Sequence, residues 1–306
     1  MSSGAQSIAL RIKNAGAVRD YAELFKTRVT ALVVVTAWSG VYFACAKAGE
    51  SPFSWEALDA ALGVGLVAAG TAGLNQVIER KLDAKMSRTC MRPLVTGSLG
   101  VLPASMISCL AILSGTILLG VCCNWLAALL ALLTSAAYLG PYTLMKTVGP
   151  SCTLIGAFPG AMPPVLGWVA IRGGLDAGAL VLFAILFLWQ FPHFHSIGLL
   201  YRKDYERAGI RMLAVVDQSA RKTSREILLC SLLLIPTSLL PTLLGMSGLV
   251  YGIGAALLGT VLLGYGARMF QVHARISSDK KIARQLLRAT VLYLPALLGL
   301  MMFDRV

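Results

Sequence analysis

Residues 57–83 read ALDAALGVGLVAAGTAGLNQVIERKLD. The first part, 57–78, carries one charge, Asp59. At the α-helical rise it is long enough to cross a hydrocarbon core of about 30 Å. The rest adds Glu79, Arg80, Lys81 and Asp83 at its end. Asn75, Glu79 and Asp83 recur every fourth residue, so one face of a helix carries all three. A membrane span that ends on an acidic, amide-bearing face decides both the fold class and where to look for chemistry.

Working outward, apolar runs of span length recur at 29–47, 100–120, 124–144, 151–171, 178–199, 227–246, 249–267 and 288–303, making nine with 57–78. The gaps near Cys122–Asn124 and Gly245–Gly248 read as tight hairpins. Of 306 residues, 57% are hydrophobic and 13% charged, about half the charge of a soluble domain. Mean hydropathy is +0.74. A soluble enzyme and a disordered chain are excluded. The predicted fold is all-α and polytopic, nine transmembrane helices around a central cavity: a cytoplasmic N-terminal segment over 1–28, then one membrane domain over 29–306.

The net charge of +13 does not point to nucleic acid, because no separate basic domain carries it. With nine spans, Lys47, Arg172 and Arg305 fall on one side and the other 24 of the 27 Lys and Arg on the opposite side. The positive-inside rule then predicts a cytoplasmic N-terminus and an external C-terminus, in the cell inner (plasma) membrane. No cleavable signal peptide is evident, since the first apolar run is long enough to span. Val18, Tyr21, Ala22 and Phe25 follow i, i+3, i+4, i+7, the pattern of an interfacial helix or an ordered lead-in. The seven Cys show no C-x-x-C pair and read as small apolar residues of the spans.

One amide and two carboxylates suit a hard divalent cation such as Mg²⁺, which keeps waters and takes substrate phosphates as further ligands. No Cys or His joins the face, so zinc does not fit. The bland alternative is a wet helix end whose acids pair with Arg80, Lys81 and Lys85. Arg88 and Arg92 follow within a turn or two, and guanidinium is well shaped for phosphate. A second mixed cluster, Tyr201-Arg-Lys-Asp204-Tyr-Glu-Arg207, follows the sixth run on the same side, so the two clusters could face each other across one cavity. Two acidic faces, Mg²⁺ and cations beside a dry apolar cavity suit the departure of diphosphate from an allylic prenyl chain.

The stretch Asn75-x3-Glu79-x3-Asp83-x2-Met86-x-Arg88-Thr89-x2-Arg92-Pro93-Leu94-Val95 resembles the first signature of the protoheme IX farnesyltransferases (haem O synthases), a branch of the intramembrane aromatic prenyltransferase superfamily. Three further stretches match in order: Gly156-Ala-x-x-Gly160-Ala-x-Pro163-Pro164-x-x-Gly167-Trp168, Phe187-Leu-Trp189-Gln190-x-Pro192-His193-Phe194 and Asp204-Tyr205-x-x-Ala208-Gly209-Ile210-x-Met212-Leu213. The resemblance covers roughly residues 20–300. It implies farnesyl transfer from farnesyl diphosphate to haem B with addition of water, giving haem O and diphosphate. By position it implies Asn75, Glu79, Asp83 and Asp204 as catalytic Mg²⁺-diphosphate ligands. Arg88, Arg92, Lys146, Arg202 and Lys203 are the implied diphosphate clamps. Thr27, Thr147 and Arg211 depart from the family pattern.

Of the three His, His273 lies in a basic loop and reads as solvated, while His193 and His195 lie in the sixth run. The latter are about 200° apart on a helix and cannot both grip one iron unless Pro192 breaks it. Each is either a packing residue or a contact to the substrate haem, with His193 favoured because it carries the family match. The rival readings are a prenyltransferase for a quinone precursor or chlorophyll-like ring, and a transporter. The acidic residues at span ends rather than mid-membrane weigh against the transporter. Membrane lipid surrounds the chain on any reading. Haem-handling or oxidase-assembly proteins are the expected partners.

Overall fold

The computed structural model describes residues 16–273 and 280–306, without the side chains of residues 272 and 273. Residues 1–15 of the N-terminal segment and the side chain of His273 lie outside this set. Nine of the described helices are long and apolar enough to cross a membrane: α1 Thr27–Ala48, α2 Trp55–Asp83, α3 Val101–Cys123, α4 Trp125–Met145, α5 Cys152–Arg172, α6 Ala177–Leu200, α7 Arg221–Leu243, α8 Leu249–Gln271 and α9 Lys280–Phe303. The architecture is all-α and polytopic, as expected.

The helices overrun the apolar runs in one direction. α2 and α8 end later than hydropathy suggests, and α7 and α9 start earlier. All four overruns lie at the end of the bundle rich in Lys and Arg. Backbone hydrogen bonding does not depend on hydropathy, and Lys, Arg and Glu are good helix formers. Their long stems lie along apolar surface while their heads reach water. The acidic face of α2 stands on such an overrun.

The opposite end is closed by caps. Ser54 Oγ accepts from the Ala57 amide at the start of α2, and Asp176 Oδ1 from the Gly178 amide at the start of α6. Asn124 makes the α3–α4 hairpin. Its Oδ1 accepts from the Ala127 amide, and its Nδ2 donates to the Val169 and Ala170 carbonyls near the end of α5. The turn from α7 to α8 uses Gly245 at φ +66°, a left-handed conformation open to glycine.

Two features position the site. A short helix over residues 16–24 packs Leu24, with Tyr21 and Phe25, against Leu94, Leu99 and Ala104, and Gln76 Nε2 donates to the Glu23 and Leu24 carbonyls. It is an ordered lead-in docked on the bundle, with Val18 left exposed. The second is close packing of α1 on α5. A Cβ at Gly40 would collide with the Pro164 carbonyl, and one at Gly167 with the Ala37 carbonyl. Glycine lets the two backbones touch there.

Candidate functional site

A cavity of about 480 Å³ opens at the basic end between α1, α2, α4, α5 and α6. Asn75, Glu79 and Asp83 line it from the end of α2, all three buried. Each holds one cation from a different part of the chain. Lys26 Nζ donates to Asn75 Oδ1 at 3.0 Å, Lys146 Nζ to Glu79 Oε1 at 2.5 Å, and Arg92 Nη1 to Asp83 Oδ2 at 2.6 Å. Arg88 also lines the cavity, its guanidinium over the Tyr201 ring. Four cations thus face two carboxylates. This is not the wet helix end of the bland reading: Arg80, Lys81 and Lys85 are not the partners.

Lys26 was not among the residues singled out from sequence. Its backbone is left-handed, φ 47° and ψ 50°, where the lead-in helix turns into α1. That conformation is uncommon for a residue with a Cβ. The turn delivers the ammonium into the cavity, where burial, and next the charge of Arg92, push its pKa down to about 8. A cation so placed lacks an anion. The sequence signal was slight: one Lys just ahead of a span.

α4 contains a π-helical segment near its end, Tyr138–Tyr142 with Pro141, followed by one α-helical turn, Thr143–Met145. Such widened turns re-aim side chains. Tyr138 and Tyr142 both line the cavity, and the Lys146 ammonium sits 4.4 Å from the Tyr142 ring centroid. Thr143 Oγ1 accepts from Asn75 Nδ2 at 3.3 Å, orienting the amide so that its oxygen meets Lys26.

The two basic-end loops meet over the cavity, as the facing clusters suggested. Met86 packs on Ala208 and Ile210, and Ser87 Oγ donates to Asp204 Oδ2 at 2.6 Å. The Arg211 amide donates to the Lys146 carbonyl. The Ser87 hydrogen bond, the largest cause, holds the Asp204 carboxyl below the usual carboxylate range. Asp204 itself is outside the cavity lining, while its neighbour Tyr205 lines the cavity.

Other expected site residues point elsewhere. Arg202 is turned from the cavity: it donates to the Val215, Asp217 and Gln218 carbonyls and to Glu206. Its donor fork braces the turn into α7 in this arrangement. Lys203 is exposed and outside the cavity lining. His195 is fully buried, with Nε2 3.2 Å from Glu226 Oε2 of α7 but not aligned for a hydrogen bond. With no accessible face, His195 does not fit a contact to haem. His193 points to α9: its Nδ1 pairs with Thr290 Oγ1 at 3.0 Å and its ring stacks on Trp189. Phe194, next in the chain, lines the cavity.

The family model that matches this chain is the UbiA prenyltransferase family, over residues 32–290. The chain is 53% identical to the protoheme IX farnesyltransferase of Koribacter versatilis, over 100% of this chain and 99% of that one. It is 44% identical to that of Solibacter usitatus, over 94% and 99%. Among solved structures, one from work on digeranylgeranylglyceryl phosphate synthase superposes with a TM-score of 0.75 at 17% identity, covering 94% of this chain and 98% of that one. A UbiA homolog from Archaeoglobus fulgidus bound to GPP and Mg²⁺ superposes at 0.60 and 16% identity, covering 92% and 99%. These two likenesses establish the fold, while the sequence matches run almost end to end. The chain belongs to the UbiA prenyltransferase family, in its protoheme IX farnesyltransferase branch.

Proposed function

We propose that this protein transfers the farnesyl group of farnesyl diphosphate to a vinyl group of haem B, with addition of water, giving haem O and diphosphate. The observation that carries the reading is the pairing of each polar residue on the α2 face with a separate cation at the mouth of an apolar cavity. An incoming diphosphate offers Lys26 the anion it lacks, gives Arg88 a partner beside the Tyr201 ring, and competes for Lys146 and Arg92, which frees the two carboxylates. The oxygen-only donor set fits Mg²⁺, which Asn75, Glu79 and Asp83 would hold, with Asp204 as the candidate ligand from the facing loop. When bound, the ion would neutralise charge on the departing diphosphate. The UbiA homolog solved with GPP and Mg²⁺ supports the same pairing of ligands on this fold.

The chemistry balances without a redox step. The allylic C–O bond breaks, and its electron pair leaves with the diphosphate. The terminal vinyl carbon of haem B bonds to farnesyl C1, and water adds to the inner carbon with loss of a proton. Tyr138, Tyr142 and the apolar walls keep the developing cation from bulk water until the C–C bond forms. His193 is the chain's candidate contact to the haem iron. Thr290 fixes its Nδ1, and Nε2 has no hydrogen-bond partner among the described residues.

Purified protein in proteoliposomes, given farnesyl diphosphate, haem and Mg²⁺, is expected to form a product with the mass of haem O. Chelation should stop it. Farnesyl diphosphate consumed only with a quinone precursor would favour the other acceptor class, and no consumption at all would sink the enzyme reading. His193→Ala is expected to weaken haem binding in a spectral titration while leaving farnesyl diphosphate binding nearly intact. Unchanged haem affinity and turnover would make His193 a packing residue.

We place the protein in the cell inner (plasma) membrane, and the charge asymmetry supports the basic end, and so the diphosphate site, in the cytoplasm. A periplasm-active reporter fused after Val306 should be active. Activity of a cytoplasm-only reporter there would refute the orientation. Haem-handling or oxidase-assembly proteins remain the partner class that this reaction suggests.

A further inference from the structure

The lining of the cavity continues furthest from the basic end along α2, α4 and α5, and on α6 it stops early, at Phe194. Going away from the basic end, its lining stops at Val33 on α1, Val64 on α2, Ala131 on α4 and Leu166 on α5. About one turn further on, each helix presents a side chain with no exposure at all: Ala37, Ala60, Ala127 and Val169. Gly40 and Gly167 bring the α1 and α5 backbones into contact at Pro164 and Ala37, on either side of Leu166 along α5, so no passage opens between these two helices there.

The depth above this floor has a chemical meaning. From Asn75, the innermost of the polar face, to Val64, α2 rises about 16 Å. An extended isoprene unit adds four main-chain bonds, about 5 Å. Three units need about 15 Å and four about 20 Å. With the diphosphate held between Asn75 and Asp83, a fifteen-carbon chain reaches the floor and a twenty-carbon chain does not fit.

We infer that Val64 and Leu166, with Ala131 opposite, form a stop that sets the prenyl chain length at fifteen carbons. This rests on the proposed prenyl-diphosphate reading and adds the residues that select the donor. They are specificity residues remote from the reacting atoms. The cavity does have a side opening near the start of α1, where Val29 lines it and is 57% exposed. A longer chain that bent out there would evade the stop, so the experiment must detect that route.

The test gives the full-length protein, in proteoliposomes with haem and Mg²⁺, an equimolar mixture of ten-, fifteen- and twenty-carbon prenyl diphosphates. Products are resolved by mass. The wild type is expected to favour fifteen carbons over twenty by at least about tenfold, the discrimination an apolar pocket gives for a misfit of this size. The double variant Val64→Ala, Leu166→Ala should raise the twenty-to-fifteen ratio about tenfold or more. Ala131→Leu, which narrows the floor, should raise the ten-to-fifteen ratio. Equal use of fifteen and twenty carbons by the wild type overturns the stop and points to the side opening. So do unchanged ratios in both variants. Competition binding with unreactive thiolodiphosphate analogues of the three lengths is run in parallel. If haem is never prenylated but the binding order and its shifts appear, the proposed reaction fails and the stop survives. If product forms without length discrimination, the stop fails and the reaction survives.

Discussion

Asp83→Ala is expected to lower farnesyl transfer at least about 100-fold at saturating Mg²⁺ and substrate, the scale on which removing one preorganised charge partner acts. Asp83 is buried on α2 and engages Arg92 at 2.6 Å. Loss of the carboxylate removes a ligand from the proposed metal face and leaves Arg92 without its partner. Truncating one side of a buried pair costs about 3–5 kcal/mol when the remaining charge cannot reach water. The Arg92 side chain retains some exposure, so it can turn outward, and the folded yield should stay near wild type. Asp83→Asn keeps the shape and removes the charge, and it should lose activity to a similar degree. The measurement is haem O formed per folded protein. Wild-type-like turnover in either variant would remove Asp83 from the machinery.

A second large effect is expected at Lys146. Its ammonium is mostly buried, bonded to Glu79 and held over the Tyr142 ring, one short helical turn after the π-helical segment. Lys146→Ala should lower kcat/KM for farnesyl diphosphate about 100-fold or more, because a desolvated cation facing the leaving group acts most strongly in the transition state. Lys203→Ala should change it less than about twofold, since Lys203 is exposed and off the cavity and a solvated surface charge interacts weakly at a distance. The two residues looked alike in the sequence. Equal losses in the two variants would mean that the loop after α6 closes on the substrate in a way this arrangement does not show.

The contrast between these lysines shows where sequence reading stops. Arg202 and Lys203 sit beside Asp204 in a cluster that reads as a phosphate site. The helix Arg202–Ala208 instead aligns Arg202 with Glu206 and swings its guanidinium onto the carbonyls of the next turn. Direction on so short a helix depends on how it docks, which no local pattern encodes. Lys26 is the converse case. An isolated Lys before an apolar run carries no periodic signal, and only the left-handed turn at that residue sends it to Asn75. The histidines fall between the two. Their divergence was legible from helical periodicity, whereas the partners, Thr290 for His193 and Glu226 for His195, come from α9 and α7.

The chain's own pattern was enough for the nine spans, for the basic and non-basic ends, and for one helical face carrying Asn75, Glu79 and Asp83. These follow from short-range physics: transfer of apolar stretches into lipid, and the 3.6-residue turn of a hydrogen-bonded helix. Packing settled which of the many basic-end cations converge on that face. The three pairs join residues 49, 67 and 9 positions apart. Packing also settled how closely α1 and α5 approach at Gly40 and Gly167, beside the deepest lining residue of α5, Leu166. Both depend on how helices distant in sequence cross and how closely they approach, and those quantities arise from side-chain shape on two elements at once rather than from the periodicity of either.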